Sequence, residues 1–300
     1  MASSFIAGVY PENTFDTANP TTQQQQAQAA AAHDIATSGM GAVMLASFHV
    51  SSEGDINYNN TNIVTGGQAS GLLNPNLPEL LDQIQGAGST IVASFGGGGT
   101  FNGNAIGFWD FTHVKDLIAQ YPNPADNPFF QNLAVLFKTY PAITGLDIDL
   151  EDYSTDPGTD YDSFTSTLVT VINWLSDNGK IATIAPYEAP DFWTKVLEQC
   201  VVNNQQQVAW INLQNAMGTL SQFMPVLQAG NIGWTNVPSY VLAGLQIGGM
   251  SPSAVQQVYA QIAQEQSGLR GGWLWTYEDF DGTPASQFAS ATQQGLSGTA

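Results

Sequence analysis

Short apolar segments recur along the chain, separated by longer stretches in which apolar and polar positions mix at helical spacing. Eight stand out: FIAGVY (5–10), AVMLASF (42–48), TIVASF (90–95), GLDIDL (145–150), IATIAP (181–186), AWINL (209–213), YVLAGLQI (240–247) and GGWLW (271–275). Each has the length of a strand. Helices are predicted between them at 21–38, 77–87, 124–140, 160–178, 190–203, 217–229 and 252–267. The first is rich in Gln and Ala, which favour helix, and Thr21 or Thr22 can cap it. Eight strands alternating with helices predict an α/β chain of the (β/α)8 TIM-barrel type. No repeat, Pro-rich linker or shift in composition divides it, so residues 1–300 are expected to form a single domain. A doubly wound open sheet is the alternative. It would normally bring a phosphate-binding turn, and the glycines of FGGGGTFNG do not fit G-x-G-x-x-G.

One segment breaks the apolar rule. In AITGLDIDLEDY (142–153), Asp147, Asp149 and Glu151 alternate with Ile148 and Leu150. A strand sends alternate side chains to one face, so the three acids form a row that faces either solvent or a site. Inward positions of barrel strands are usually bulky aliphatics and barrel sites lie at the C-terminal strand ends, so the row points to a site. Closely spaced carboxylates repel when ionised, which leaves one of them protonated near neutral pH, as a general acid must be. Glu151, nearest the mouth, is the natural donor, and Asp149 is expected to share a proton with Asp147. Metal binding competes as a use for such acids. No second acidic cluster accompanies them, and His33, His49 and His113 fall in separate elements, so neither a metal nor a cofactor is expected.

Charge narrows the partners. The chain carries 25 acidic and 5 basic residues, a formal charge of −20, which excludes a footprint for nucleic acid or anionic lipid. No apolar run reaches the ~20 residues of a membrane span, and no basic segment followed by an apolar one precedes FIAGVY, so no secretion signal is expected. Cys200 stands alone, and the sequon Asn59-Asn60-Thr61 is single, so cytoplasmic and secreted locations both stay open. A monomer is the default expectation.

The row also carries a resemblance. TGLDIDLE (144–151) resembles the D-x-x-D-x-D-x-E signature of the fourth strand in family 18 glycoside hydrolases, the chitinases and some endo-β-N-acetylglucosaminidases, with Thr144 in place of the first Asp. SFGG (94–97) is similar to the S-x-G-G motif of that family's third strand, which brings in Ser94, Gly96 and Gly97. GGWLW resembles the eighth strand, where a tryptophan forms the floor of the sugar pocket; Trp275 is the first choice for it and Trp273 the second. IATIAP resembles the fifth strand. SFHVSSEGDINYNN (47–60) looks more like the second-strand region of fungal-type endo-β-N-acetylglucosaminidases than that of common chitinases.

The sixth strand departs from the family. Its usual terminal tyrosine, which holds the substrate acetamide, is replaced in AWINLQNAMG by Gln214 or Ala216, with Asn212 and Asn215 close by. The resemblance implies substrate-assisted hydrolysis of β-1,4-linked N-acetylglucosamine, in chitin chains or in the chitobiose core of N-glycans. Glu151 would then protonate the glycosidic oxygen, Asp149 would hold the acetamide N–H, and Asp147 would tune Asp149. Asn212 and Gln214 are expected to point into the pocket. Tyr153 and Tyr187, directly after strand ends, are the preferred aromatic contacts, ahead of Phe108, Trp109, Phe111, Trp193 and Tyr277. A catalytically silent sugar-binding or inhibitor protein on the same barrel is the alternative.

Overall fold

The computed structural model describes residues 5–59, 61–70, 74–98, 100–101, 104–151 and 161–298. All eight apolar segments form strands: β1 (Ile6–Tyr10), β2 (Ala42–Val50), β3 (Thr90–Gly96), β4 (Ile143–Asp149), β5 (Ile181–Ile184), β6 (Val208–Leu213), β7 (Val241–Gln246) and β8 (Gly271–Trp275). Each pairs in parallel with the next, and β8 returns to β1, so the sheet closes into a (β/α)8 barrel.

Helices α1 (Thr22–Thr37), α2 (Leu77–Gly86), α3 (Ile106–Gln120), α4 (Pro128–Thr139), α5 (Tyr161–Asp177), α6 (Pro190–Gln199), α7 (Ala216–Ala229), α8 (Pro252–Glu265) and α9 (Ala285–Ser297) surround it. Thr21 caps α1 in a reciprocal box with Gln24, and Asn127 and Ser251 cap α4 and α8 through their side chains. Two helices, α3 and α9, lie outside the expected set. The apolar positions Phe111, Val114 and Leu117 of α3 bury one face, whereas α9 turns inward mainly small residues, among them Ala285, Ala289 and Ala291. A stripe of alanines carries little hydrophobic signal.

The chain after β2 makes an unexpected excursion. It adds antiparallel strands Ile56–Tyr58, Thr61–Thr65 and Gln68–Ala69 to the C-terminal end of β2, beyond the closed barrel. This flap is tied to α4: Asn132 Nδ2 donates to Gly54 O at 2.7 Å and its Oδ1 accepts from Gly67 N at 2.8 Å. A Cβ at Gly54 would lie 2.8 Å from Phe129 N, so only glycine lets the two segments meet.

Two apolar clusters fill the barrel. The larger lies between strands and helices; the smaller, inside the strands, includes Tyr10, Met44, Val92, Trp210, Leu242 and Trp273. The rim at the C-terminal strand ends is uneven. After β5, β6 and β7 the chain enters the next helix through residues 185–189, 214–215 and 247–251, whereas the link after β2 runs through 51–76.

Candidate active site

The acid row is built by register. Ser94 on β3, Asp147 on β4 and Thr183 on β5 are direct neighbours across the sheet, and Gly96 stands beside Asp149. Alternation then turns Asp147 and Asp149 into the barrel while Ile148 and Leu150 enter the outer core.

Asp147 has no exposed surface and accepts four hydrogen bonds. Oδ2 takes Tyr10 Oη at 2.5 Å and Ser94 Oγ at 3.1 Å; Oδ1 takes Thr183 Oγ1 at 2.6 Å and Asn212 Nδ2 at 2.9 Å. Burial raises its pKa, and the four donors pull against that rise. Sequence reasoning missed Thr183 and, more consequentially, Tyr10. Tyr10 ends β1, far from β4 in sequence, and the signal available was a hydroxyl-bearing aromatic at the inner end of a barrel strand. Burial, then the charges of Asp147 and Asp149, hold its pKa well above the ordinary phenol value, so it stays protonated and donates.

Asp149, on the same face one layer higher, has different partners. Its Oδ1 accepts from Gln214 Nε2 at 2.8 Å, and it shares a hydrogen bond with Glu151. Burial, the Glu151 charge and the Asp147 charge, in that order, raise its pKa well above its ordinary value. The expected proton sharing between Asp149 and Asp147 is therefore corrected: Asp147 is saturated by its own donors, and Asp149 pairs with Glu151.

Gln214 joins the pair. Its Nε2 lies 2.8 Å from Asp149 Oδ1, Glu151 Oε1 and Ala185 O alike. An NH2 has two hydrogens for these three acceptors, so one of them is always left over. Gln214, not Ala216, occupies the place at the sixth strand end; Ala216 is buried in the first turn of α7. The opposite wall is glycine. A Cβ at Gly98 would lie 2.5 Å from Glu151 Oε2, and one at Gly96 would lie 2.1 Å from Asp149 O, so the acids sit against bare backbone.

Above them opens a cleft of about 370 Å3, reached by Asp149, Glu151, Gln214, Tyr187, Trp273 and Trp275. Trp275 is half-buried beside Tyr10, ring centroids 5.2 Å apart, and Tyr187 is exposed at the rim. Gly97 lies next to Asp149. Three residues expected to touch substrate are corrected. Ser94 and Asn212 are buried on Asp147, and Gly96 is buried under the Asp149 backbone, so none of them faces the cleft. Tyr153 lies outside the described residues. Of the other aromatics, Phe111 and Trp193 are core, Trp109 is exposed on α3, and Tyr277 bonds Asp34 away from the acids.

A larger cavity of about 640 Å3 lies outside the barrel, between α1 and residues 277–284, and contains none of the three acids. Among the described residues no three His, Cys, Asp or Glu side chains converge as metal ligands, and no helix is long and apolar enough to cross a membrane.

Comparison with solved structures agrees with the barrel architecture. A chitinase of family 18 from Pseudoalteromonas aurantia superposes with a TM-score of 0.65 at 19% identity, over 97% of this chain and 100% of that one. The fold is that of the family 18 glycoside hydrolases. A domain of the Ostrinia furnacalis Group II chitinase, in complex with penta-N-acetylchitooctaose, matches 99% of this chain and 97% of its own at 11% identity and a TM-score of 0.61. The spore cortex-lytic enzyme SleL of Bacillus megaterium also shares the fold, at 11% identity and a TM-score of 0.61, over 97% of this chain and 75% of that one. No sequence family and no curated protein matches the chain.

Proposed function

We propose that the protein is a retaining endo-glycosidase that cleaves β-1,4 linkages of N-acetylglucosamine, in chitin oligosaccharides or in the chitobiose core of N-glycans, with the substrate's acetamide as nucleophile. One observation carries the reading. Among the described residues that line the cleft, the carboxylates are Asp149 and Glu151, two positions apart on one strand and hydrogen-bonded to each other. Ordinary retaining and inverting mechanisms place two carboxyl groups on opposite sides of the scissile bond. A pair joined on one side cannot straddle a sugar, so the second partner must come with the substrate. A 2-acetamido group supplies it. The complex of a family 18 relative with penta-N-acetylchitooctaose supports the same class of ligand.

In this scheme Glu151 protonates the leaving oxygen and later activates water. Asp149 receives the acetamide N–H as its oxygen attacks the anomeric carbon, and its negative charge steadies the oxazolinium ion that forms. Trp275 supports the apolar face of the sugar, and Tyr187 extends the platform at the rim. Substrate displaces water from a cleft that already holds the donor and acceptor in contact.

Mass spectrometry of products from chitooligosaccharides and, separately, from a high-mannose glycoprotein tests the proposal. A thiazoline analogue of N-acetylglucosamine, which mimics the cyclised intermediate, is expected to inhibit. No product from either substrate, or a glycosyl ester trapped on Asp149, would sink it.

Gln214 takes the role of the missing tyrosine. Its NH2 faces more acceptors than it has hydrogens, and the acetamide oxygen takes the place of one of them. Gln214→Ala is expected to cut turnover about a hundredfold, the ~3 kcal/mol typical of one lost donor at a developing charge. The freed Ala185 carbonyl adds a loss of about 1–2 kcal/mol in stability. Turnover and melting temperature on one preparation check both; a stable variant of unchanged activity removes Gln214 from the mechanism.

A further inference from the structure

Trp210 and Asn212 of β6 and Gln214 directly after it alternate into the barrel. The upper one serves Asp149 and Glu151, the middle one serves Asp147, and Trp210, 4% exposed, lies beneath them with its Nε1 2.9 Å from Asn212 Oδ1. An indole N–H only donates, so the partner atom on Asn212 must be the carbonyl oxygen, and the NH2 is left facing Asp147 Oδ1. This matters because the other three partners of Asp147 are the hydroxyls of Tyr10, Ser94 and Thr183. A hydroxyl can donate to a carboxylate or accept from a carboxylic acid. The Asn212 amide could likewise turn its oxygen inward, were it not held from below.

We propose that Trp210 is a positioning residue for the acid row: its indole N–H locks the Asn212 amide, and the locked NH2 keeps buried Asp147 as a carboxylate beside Asp149. Arg270 lies over the same ring, with its guanidinium carbon 5.4 Å from the Trp210 centroid. The groups facing Asp147 and Asp149 are Tyr10 from β1, Ser94 from β3, Thr183 from β5, Asn212 and Gln214 from β6, and Glu151; no Lys, Arg or His among the described residues bonds to either aspartate. The Asp147 charge is one of the causes that raise the Asp149 pKa. Its consequence for catalysis rests on the glycosidase reading; the lock itself does not.

Titration of the carboxyl carbons by 13C NMR, with the pH profile of hydrolysis recorded beside it, tests the lock. In Trp210→Phe the amide is free to turn, Asp147 takes up a proton more readily, and one cause of the raised Asp149 pKa disappears. The shared proton of the pair is then expected to leave at a pH about one unit lower, with the alkaline limb of the rate profile following it. Asn212→Leu, which deletes the NH2 itself, is expected to shift the titration in the same direction. Trp193→Phe is the control, because it removes another buried indole N–H that meets no acceptor among the described residues, on α6 and outside the cleft. An unmoved titration in Trp210→Phe, or an equal shift in Trp193→Phe, overturns the proposal. A shift confined to the first two variants, in a protein that hydrolyses neither glycan, upholds the lock and removes the glycosidase reading.

Discussion

Glu151→Gln is expected to abolish hydrolysis while leaving glycan binding close to normal. The substitution keeps the shape of a side chain that fits between Gly98 and Gln214, and the new amide oxygen still accepts from Gln214 Nε2, which lies 2.8 Å from Oε1. What it loses is a proton of useful acidity. General acid catalysis is worth about 10²–10⁴ in rate, and in this cleft no other described carboxyl except Asp149 is available to replace it. Asp149 cannot do both tasks, since it must hold the acetamide as an anion when the proton is delivered. The substitution also removes the Glu151 charge and hydrogen bond that raise the Asp149 pKa, so Asp149 is expected to ionise at lower pH in the variant. Steady-state turnover with calorimetric binding of a chitooligosaccharide checks the result, and activity within tenfold of the parent removes Glu151 from the role.

The largest effect on stability is expected at Asp147. Asp147→Ala leaves four inward donors around a hole with no exposure to water. The hydroxyls of Tyr10, Ser94 and Thr183 can turn toward one another, and Asn212 Nδ2 keeps Thr183 Oγ1 at 3.5 Å, so part of the loss is recovered. Leaving a buried donor unsatisfied costs about 1–3 kcal/mol, and a total of about 3–5 kcal/mol is expected. Asp147→Asn retains the volume and one acceptor. Its NH2 must face Tyr10 and Ser94, whose hydroxyls can accept, because the other side meets the NH2 of Asn212. It is expected to be milder in both stability and turnover than Asp147→Ala. Urea unfolding at constant m-value measures the difference; a loss below about 1 kcal/mol for the alanine variant would mean that the four bonds do not hold the carboxylate.

The barrel was legible because each strand is a short apolar run with an amphipathic stretch behind it, and that local signal needs no knowledge of neighbours. Helix α9 was hidden because the positions it buries are largely Ala and Thr, which look the same on either face. The flap after β2 was hidden because its strands are held by α4 rather than by an apolar pattern of their own. Within the site, alternation correctly placed Asp147, Asp149 and Gln214 on inward faces. It could not tell depth. Ser94 and Asn212 share the inward faces of residues that meet the cleft, yet sit one layer lower and bind Asp147 instead. Tyr10 escaped altogether, because the contact between β1 and β4 crosses the interior and has no counterpart in sequence spacing.

The uneven rim has a consequence for how the protein could be altered. Over β5, β6 and β7 the chain turns into its next helix through residues 185–189, 214–215 and 247–251, so that flank of the mouth carries little of its own architecture. Asp147 and Asp149 are held by side chains of β1, β3, β5 and β6 and by Gln214 rather than by residues 247–251. That turn is therefore the place where added chain could build new sugar contacts without disturbing the proton on Asp149 and Glu151, leaving reach and chemistry to be varied separately.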